Sequence, residues 1–173
     1  MNIHILTIAL LANAAYANAD VIDTETKRTF FTTASQCKLS IPKGNFSITK
    51  EQVRPDGSTV YYSLSNEKML INFSFYIDTL TAQCTSGENC LEAALRNPTY
   101  KNLQGLKKYE SAGFNVAEFA LDVPYQGKVL KQLNVLAEKY KKGCWADIHI
   151  SQFGETIPDS TALQSILGSI TIE

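Results

Sequence analysis

Cys144, Trp145, Asp147 and His149 crowd into six residues of this 173-residue chain. They include its only tryptophan, one of its four cysteines and, beyond His4 near the amino terminus, its only histidine. A histidine two residues from an aspartate on one strand face could act as a general base tuned by that carboxylate. Any Ser–His–Asp system here would have to use His149. No Gly-x-Ser-x-Gly elbow accompanies it, and no serine is singled out by its surroundings. Glu110, Glu118, Asp122, Glu138 and Asp147 fall on expected strands and could supply a carboxylate pair for glycoside hydrolysis. None has a catalytic context, and charges on a sheet face are usually solvated or paired. A zinc site would need closely spaced thiolates, typically with two to four residues between the first pair; five separate Cys84 from Cys90. No catalytic residue, metal or cofactor is therefore assigned. The remaining candidate is a contact surface for another protein: Lys139, Tyr140, Lys141, Lys142, Trp145 and His149, with Lys128 and Lys131 upstream. Mixed aromatic and basic side chains suit an interface, although lysines also guard hairpin edges against unwanted pairing.

The stretch Val129 to Ser151 must position these residues. It reads as two strands meeting at Lys141-Lys142-Gly143. The second alternates cleanly, with Cys144, Ala146, Ile148 and Ile150 on one face and Trp145, Asp147 and His149 on the other. Val129, Leu133, Leu136 and Tyr140 also fit a helical face. The short reach to the next strand favours a hairpin, and strand is the reading adopted.

Upstream, Thr29 to Thr33, Cys37 to Pro42 and Phe46 to Val53 read as short extended pieces. Arg54-Pro55-Asp56-Gly57 is a turn by its chemistry. Thr59 to Leu64 is β-rich, and Met69 to Ile77 is the most strand-like run. Cys90 to Arg96 is helical, with Leu91, Ala94 and Leu95 as its apolar face. Leu106 to Ser111 and Phe114 to Val123 form a hairpin through Ala112-Gly113, closed by Pro124. Asp159-Ser160, or a Thr161-x-x-Gln164 box, would cap a helix burying Leu163, Ile166 and Leu167. Gly168 ends that helix and a short strand follows. The sum is α+β, a twisted and mainly antiparallel sheet flanked by helices.

Residues 1–19 hold no Lys, Arg, Asp or Glu. An apolar run from Ile5 to Ala12 leads to Ala17-Asn18-Ala19, a small-x-small cleavage site, so a signal peptide is expected. The run is shorter than the ~20 residues a membrane span needs, and no span is expected after cleavage. Residues 20–36 read as a loose polar arm with a short strand, and 37–173 as one domain of ordinary size. The chain is expected to be exported, to the periplasm or to the medium. Four cysteines in an exported chain imply two disulfides. Three connectivities exist. The turn-rich segment between Cys84 and Cys90 favours Cys84–Cys90, leaving Cys37–Cys144. A net charge of −1 provides no long-range field for nucleic acid.

The order of elements resembles the PsbP-like proteins, the α/β/α sandwich of the extrinsic photosystem subunit and of a Ran-binding import factor. The stretches that carry the resemblance are Ile41-Pro42-Lys43-Gly44, the strand LINFSFYI, the pair ending CWADIHIS and the closing DSTALQSILGSITI. The resemblance implies the fold and no site residue, since that fold serves different binding tasks. The functional expectation is an exported, non-enzymatic binding protein whose partner is an envelope protein, a toxin or a hydrolase. The alternatives are a periplasmic hydrolase using His149 or a carboxylate pair, and a small-ligand-binding protein with its site between sheet and helix.

Overall fold

A computed structural model describes residues 20–32, 37–78, 86–141 and 143–173. The expected signal peptide, Cys84 and Lys142 lie outside the described residues. Among the described residues, eleven strands form two antiparallel sheets. The small sheet has the order β1-β2-β3-β11, from β1 (Asp20–Asp23), β2 (Lys27–Phe31), β3 (Lys38–Pro42) and β11 (Thr171–Ile172). The large sheet has the order β4-β5-β6-β10-β9-β8-β7. Its strands are β4 (Ser47–Val53), β5 (Thr59–Asn66), β6 (Ile71–Asp78), β7 (Gln104–Ser111), β8 (Phe114–Tyr125), β9 (Lys128–Lys141) and β10 (Cys144–Gly154). Two helices complete the fold, α1 (Gly87–Leu95) and α2 (Thr161–Gly168). The architecture is the expected α+β class. No described helix is long and apolar enough to cross a membrane.

Residues 20–28, read from their polarity as a loose arm, instead hold β1 and the start of β2, whose end lies in the expected strand Thr29 to Thr33. The β1–β2 register runs from Asp20 opposite Phe31 to Asp23 opposite Arg28. Asp23 accepts Arg28 Nε at 2.7 Å, and Phe30 is fully buried. One apolar anchor and the ion pairs of Asp23 with Arg28 and Lys43 hold a segment whose mean polarity gives no hint of order. Val129–Tyr140 is strand, not helix. Its centre, Leu133 to Glu138, is buried on both faces, so its apolar residues do not alternate and a helical period fits them by accident. Pro124 does not close β8, which continues to Tyr125 along the start of β9.

The faces of the large sheet have different fates. One carries Tyr62, Leu64, Phe73, Phe75, Ile77, Ile148 and Ile150, all buried. The small sheet and α2 cover it. Phe30 meets Tyr62 and Phe75 at ring-centre distances of 4.5 and 4.8 Å, and Leu163, Leu167 and Ile172 fill the same core. Fully burying each such side chain contributes about 1.5–3 kcal/mol. Cys37, just before β3, is bonded to Cys144 at the head of β10, with 5.6 Å between Cα atoms. The expected long-range disulfide thus joins the two sheets. Cys90 is buried on α1; its expected partner Cys84 lies outside the described residues.

The described residues cover the opposite face only in part. Leu91 of α1, with Ala94 and Leu95 beside it, packs on Ala117, Phe119 and Leu136. Ser86 caps this helix, its hydroxyl accepting Asn89 N–H at 3.3 Å. Gly87, its first residue, lies so close to β9 that an added Cβ would stand 2.9 Å from the Glu138 carbonyl and 2.5 Å from Asn115 Nδ2. The side chain can turn away, but the backbone oxygen cannot. Gly87→Ala should therefore lift the start of α1 and cost about 1–3 kcal/mol in urea unfolding; an unchanged midpoint would contradict the close approach. Both outer strands of the large sheet carry a register shift, at Ile48/Lys50 in β4 and Gln104/Lys107 in β7.

Candidate functional site

Antiparallel register builds a line of side chains across the partly open face. Asp147 of β10 sits opposite Glu138 of β9 on one side and Tyr76 of β6 on the other. Tyr76 sits opposite Tyr61 of β5. One residue pair further along β10, His149 faces Ser74 and Leu136. In the other direction, Trp145 faces Asp78 and Tyr140. All belong to one face because side chains two apart on a strand point the same way. The α1 helix stops short of β5 and β6, and a groove remains.

The groove has two compartments that share Tyr61, Tyr76 and Asp147 as their common wall. The outer one, about 460 Å³, is bounded by Arg54, Thr59, Asp78 and Trp145. The inner one, about 330 Å³, runs under the end of α1 and is bounded by Asn97, Tyr100, Leu136 and His149. Tyr61 and Tyr76 lie tilted at 41° with ring centres 4.6 Å apart. Tyr100, in the short 3₁₀ turn Pro98–Tyr100, stands edge-on to His149 at 6.4 Å.

Asp147 and Glu138 are direct cross-strand neighbours whose carboxyls interact. Glu138 is buried, and its Oε2 accepts the Trp145 indole N–H at 2.7 Å. Burial, followed by the charge of Asp147, raises the Glu138 pKa far above the carboxylate range. Burial raises Asp147 as well, while its interaction with Glu138 acts the other way. Two carboxyls facing each other out of water cannot both ionise at ordinary cost, so the pair retains a proton near neutrality. Burial alone holds His149 down at about 4. Its Nε2 lies 2.9 Å from Asn134 Oδ1, so the ring is neutral and tied to an amide. Burial is also the leading cause that raises Tyr76 and Tyr100, with Asp147 adding to both.

The six expected contact residues are divided by the hairpin. Tyr140, Trp145 and His149 project to the grooved face, where Trp145 lines the outer compartment and His149 the inner. Lys139 and Lys141 stand opposite Ala146 and Cys144 in the register and belong to the other face. Lys139 is engaged there, donating to the Ala112 carbonyl at 2.9 Å and lying 4.7 Å from the Phe114 ring centre. Lys142 is outside the described residues.

Asp147 does not partner His149; Glu138 takes that place. The other candidate carboxylates are scattered. Glu118 accepts from Tyr109 and Gln164 at 3.2 and 3.1 Å, and Asp122 pairs with Lys131. Tyr61 and Tyr76, which sequence reasoning did not single out, are groove walls. The register would have located the acid pair: counting outward from the turn at Gly143 sets Asp147 against Glu138. Tyr100 carried no signal, since only the fold brings its turn over β10.

No family model matches the chain, and it matches no curated protein. Among solved structures it is similar to LpqN of Mycobacterium tuberculosis, a protein involved in cell envelope biogenesis, with a TM-score of 0.46, 13% sequence identity and coverage of 96% of this chain and 97% of that one.

Proposed function

We propose that this chain is an exported, non-enzymatic binding protein of PsbP-like build that receives its target in the Tyr61–Tyr76–Asp147 groove. The observation that carries the reading is the groove itself: aromatic walls around a few convergent polar groups, on a sheet face that the described residues leave partly uncovered. Its compartments match the ~300–1,000 Å³ range of ligand pockets. Export is supported by the apolar leader ending at Ala17-Asn18-Ala19 and by a disulfide between sheets, a bond that persists in oxidising compartments. The target is an envelope protein, a toxin or a hydrolase presenting a side chain to the groove. Hydrolysis fits the site poorly. A retaining glycosidase holds its two carboxyls on either side of a scissile bond, whereas Glu138 is buried and bonded to the Trp145 indole.

The test is capture from envelope extract by the immobilised chain, repeated with Tyr61→Ala/Tyr76→Ala and with Lys139→Ala/Lys141→Ala. The reading expects the tyrosine variant to lose at least about tenfold of its captured partner, the equivalent of 1.4 kcal/mol, and the lysine variant to keep it. The reverse pattern would move the site to the basic side of the hairpin.

A further inference from the structure

We propose that the inner compartment is a seat for a single organic cation, an ammonium or guanidinium group, held against the Asp147 carboxyl among Tyr61, Tyr76 and Tyr100. The inference deepens the groove reading and rests on it. Among the described residues no lysine or arginine bounds this compartment; its polar lining is three tyrosines, Ser74, Asn97, Asp147 and His149. The histidine adds no positive charge, because its ring is buried and bonded to Asn134. Aromatic rings offer their negative faces to cations, a contact contributing about 0.5–1 kcal/mol when exposed and ~2 when desolvated. Tyr61 already shows that affinity: the chain's own Lys50 ammonium lies 5.6 Å from its ring centre.

The charged and titratable groups facing Asp147 can be named from each element. They are Glu138 from β9, Tyr76 and Asp78 from β6, Tyr61 from β5, Tyr100 from the 3₁₀ turn and His149 from its own strand. Two fixed positive charges stand nearby on the same side: Lys50 of β4, at the Tyr61 ring, and Arg54, which bounds only the outer compartment and lies 3.8 Å from Asp56. A cation arriving in the inner compartment thus meets the Asp147 carboxyl with Lys50 as its one described rival for the Tyr61 ring, and neither basic residue bounds that compartment. It also meets a pair that still holds a proton. Seating the cation favours the fully ionised pair, so one proton leaves Asp147–Glu138 for solvent as the cation enters. Affinity must then rise with pH across the range in which the pair gives up that proton.

Trp145 reports on this event directly. It is the only tryptophan, and its indole N–H is bonded to Glu138. The oxidised chain is titrated with Nα-acetyl-lysine methylamide, Nα-acetyl-arginine methylamide and tetramethylammonium, with Nα-acetyl-norleucine methylamide as the neutral analogue. Trp145 fluorescence and its indole N–H resonance are followed at two pH values. Cationic probes should saturate in the millimolar range, as expected for a single anchored group. Affinity should fall by up to about tenfold per pH unit on acidification, and the neutral analogue should leave Trp145 unmoved. Asp147→Asn should abolish the response; an unchanged melting temperature would show that this variant is folded. Equal binding of the norleucine probe, no saturable cation response, or full cation affinity in Asp147→Asn would each overturn the proposal. If the cations fail while partner capture still needs Tyr61 and Tyr76, only the cation seat falls. If capture ignores both tyrosines, the groove reading falls with it.

Discussion

Replacing Cys37 and Cys144 together by alanine should lower the free energy of unfolding by about 4–5 kcal/mol. The bond closes a loop with a sequence separation of 107, and loop-closure entropy removed from the unfolded chain grows with that length. Its position adds to the expectation. Cys37 leads into a strand of the small sheet and Cys144 begins a central strand of the large one, so the bond spans the layer interface rather than a local turn. Both cysteines are buried at 5% exposure or less, and alanine in their place also forfeits packing. Urea unfolding of the oxidised chain and the double variant measures the difference. The variant should show a lower midpoint and a steeper denaturant dependence, because its unfolded state exposes more surface. A loss under about 1 kcal/mol would mean that the two sheets hold each other without the bond.

Glu138→Gln should stabilise the chain in mild alkali and leave it nearly unchanged in acid. Folded Glu138 binds its proton more tightly than unfolded Glu138, because burial and Asp147 both disfavour its charge. Between the ordinary carboxylate range and the raised one, the folded state therefore carries more protons. Stability falls as pH rises through that window. Glutamine fills the same space, still offers the Trp145 indole an oxygen, and removes the charge that must be forced into the sheet. The gain near about pH 8 should be on the order of 2–4 kcal/mol, shrinking to a few tenths of a kcal/mol near about pH 4, where the wild-type carboxyl is largely protonated in both states. His149 acts with the opposite sign. Held at about 4 when folded, it is neutral while its unfolded counterpart, at ~6.5, takes up a proton, so stability falls as pH drops from that value to about 4. Unfolding curves at the two pH values, for both chains, give the comparison. A wild-type–variant gap independent of pH would sink the shared-proton account of the pair.

Strands with one face in the core and one toward the groove were legible from alternation. Cys144 to Ile150 is the clearest: each residue lies on the face its position implies. Ile71, Phe73, Phe75 and Ile77 behave likewise, while Met69, counted with them, falls in the turn and is exposed. Legibility failed where burial is two-sided, as in the middle of β9, and where a polar segment is ordered by pairing and a single buried anchor, as in β1 and the start of β2. The groove was hidden for a related reason. Tyr61 and Tyr62 are adjacent and chemically alike, yet one lines the groove and the other is fully buried beneath Phe30. Nothing local distinguishes them; the layer that the small sheet covers decides. The acid pair was within reach of arithmetic on the hairpin, but its meaning depends on burial that only the assembled sheet supplies.

The pairing of β11 with β3 fixes an order of events as well as a shape. Lys38 and Glu173 exchange backbone hydrogen bonds of 2.8 and 3.0 Å, so the closing residues of the chain complete the sheet that its opening strands begin. A ribosome or a secretion channel delivers the chain from the amino end. Throughout that delivery β3 waits with one row of amides and carbonyls unpaired, the arrangement most apt to recruit a stray strand. Synthesis must reach residue 172 before the wait ends. The interval before closure, rather than the finished molecule, is then the time at which this chain is most exposed to aggregation and most dependent on a chaperone.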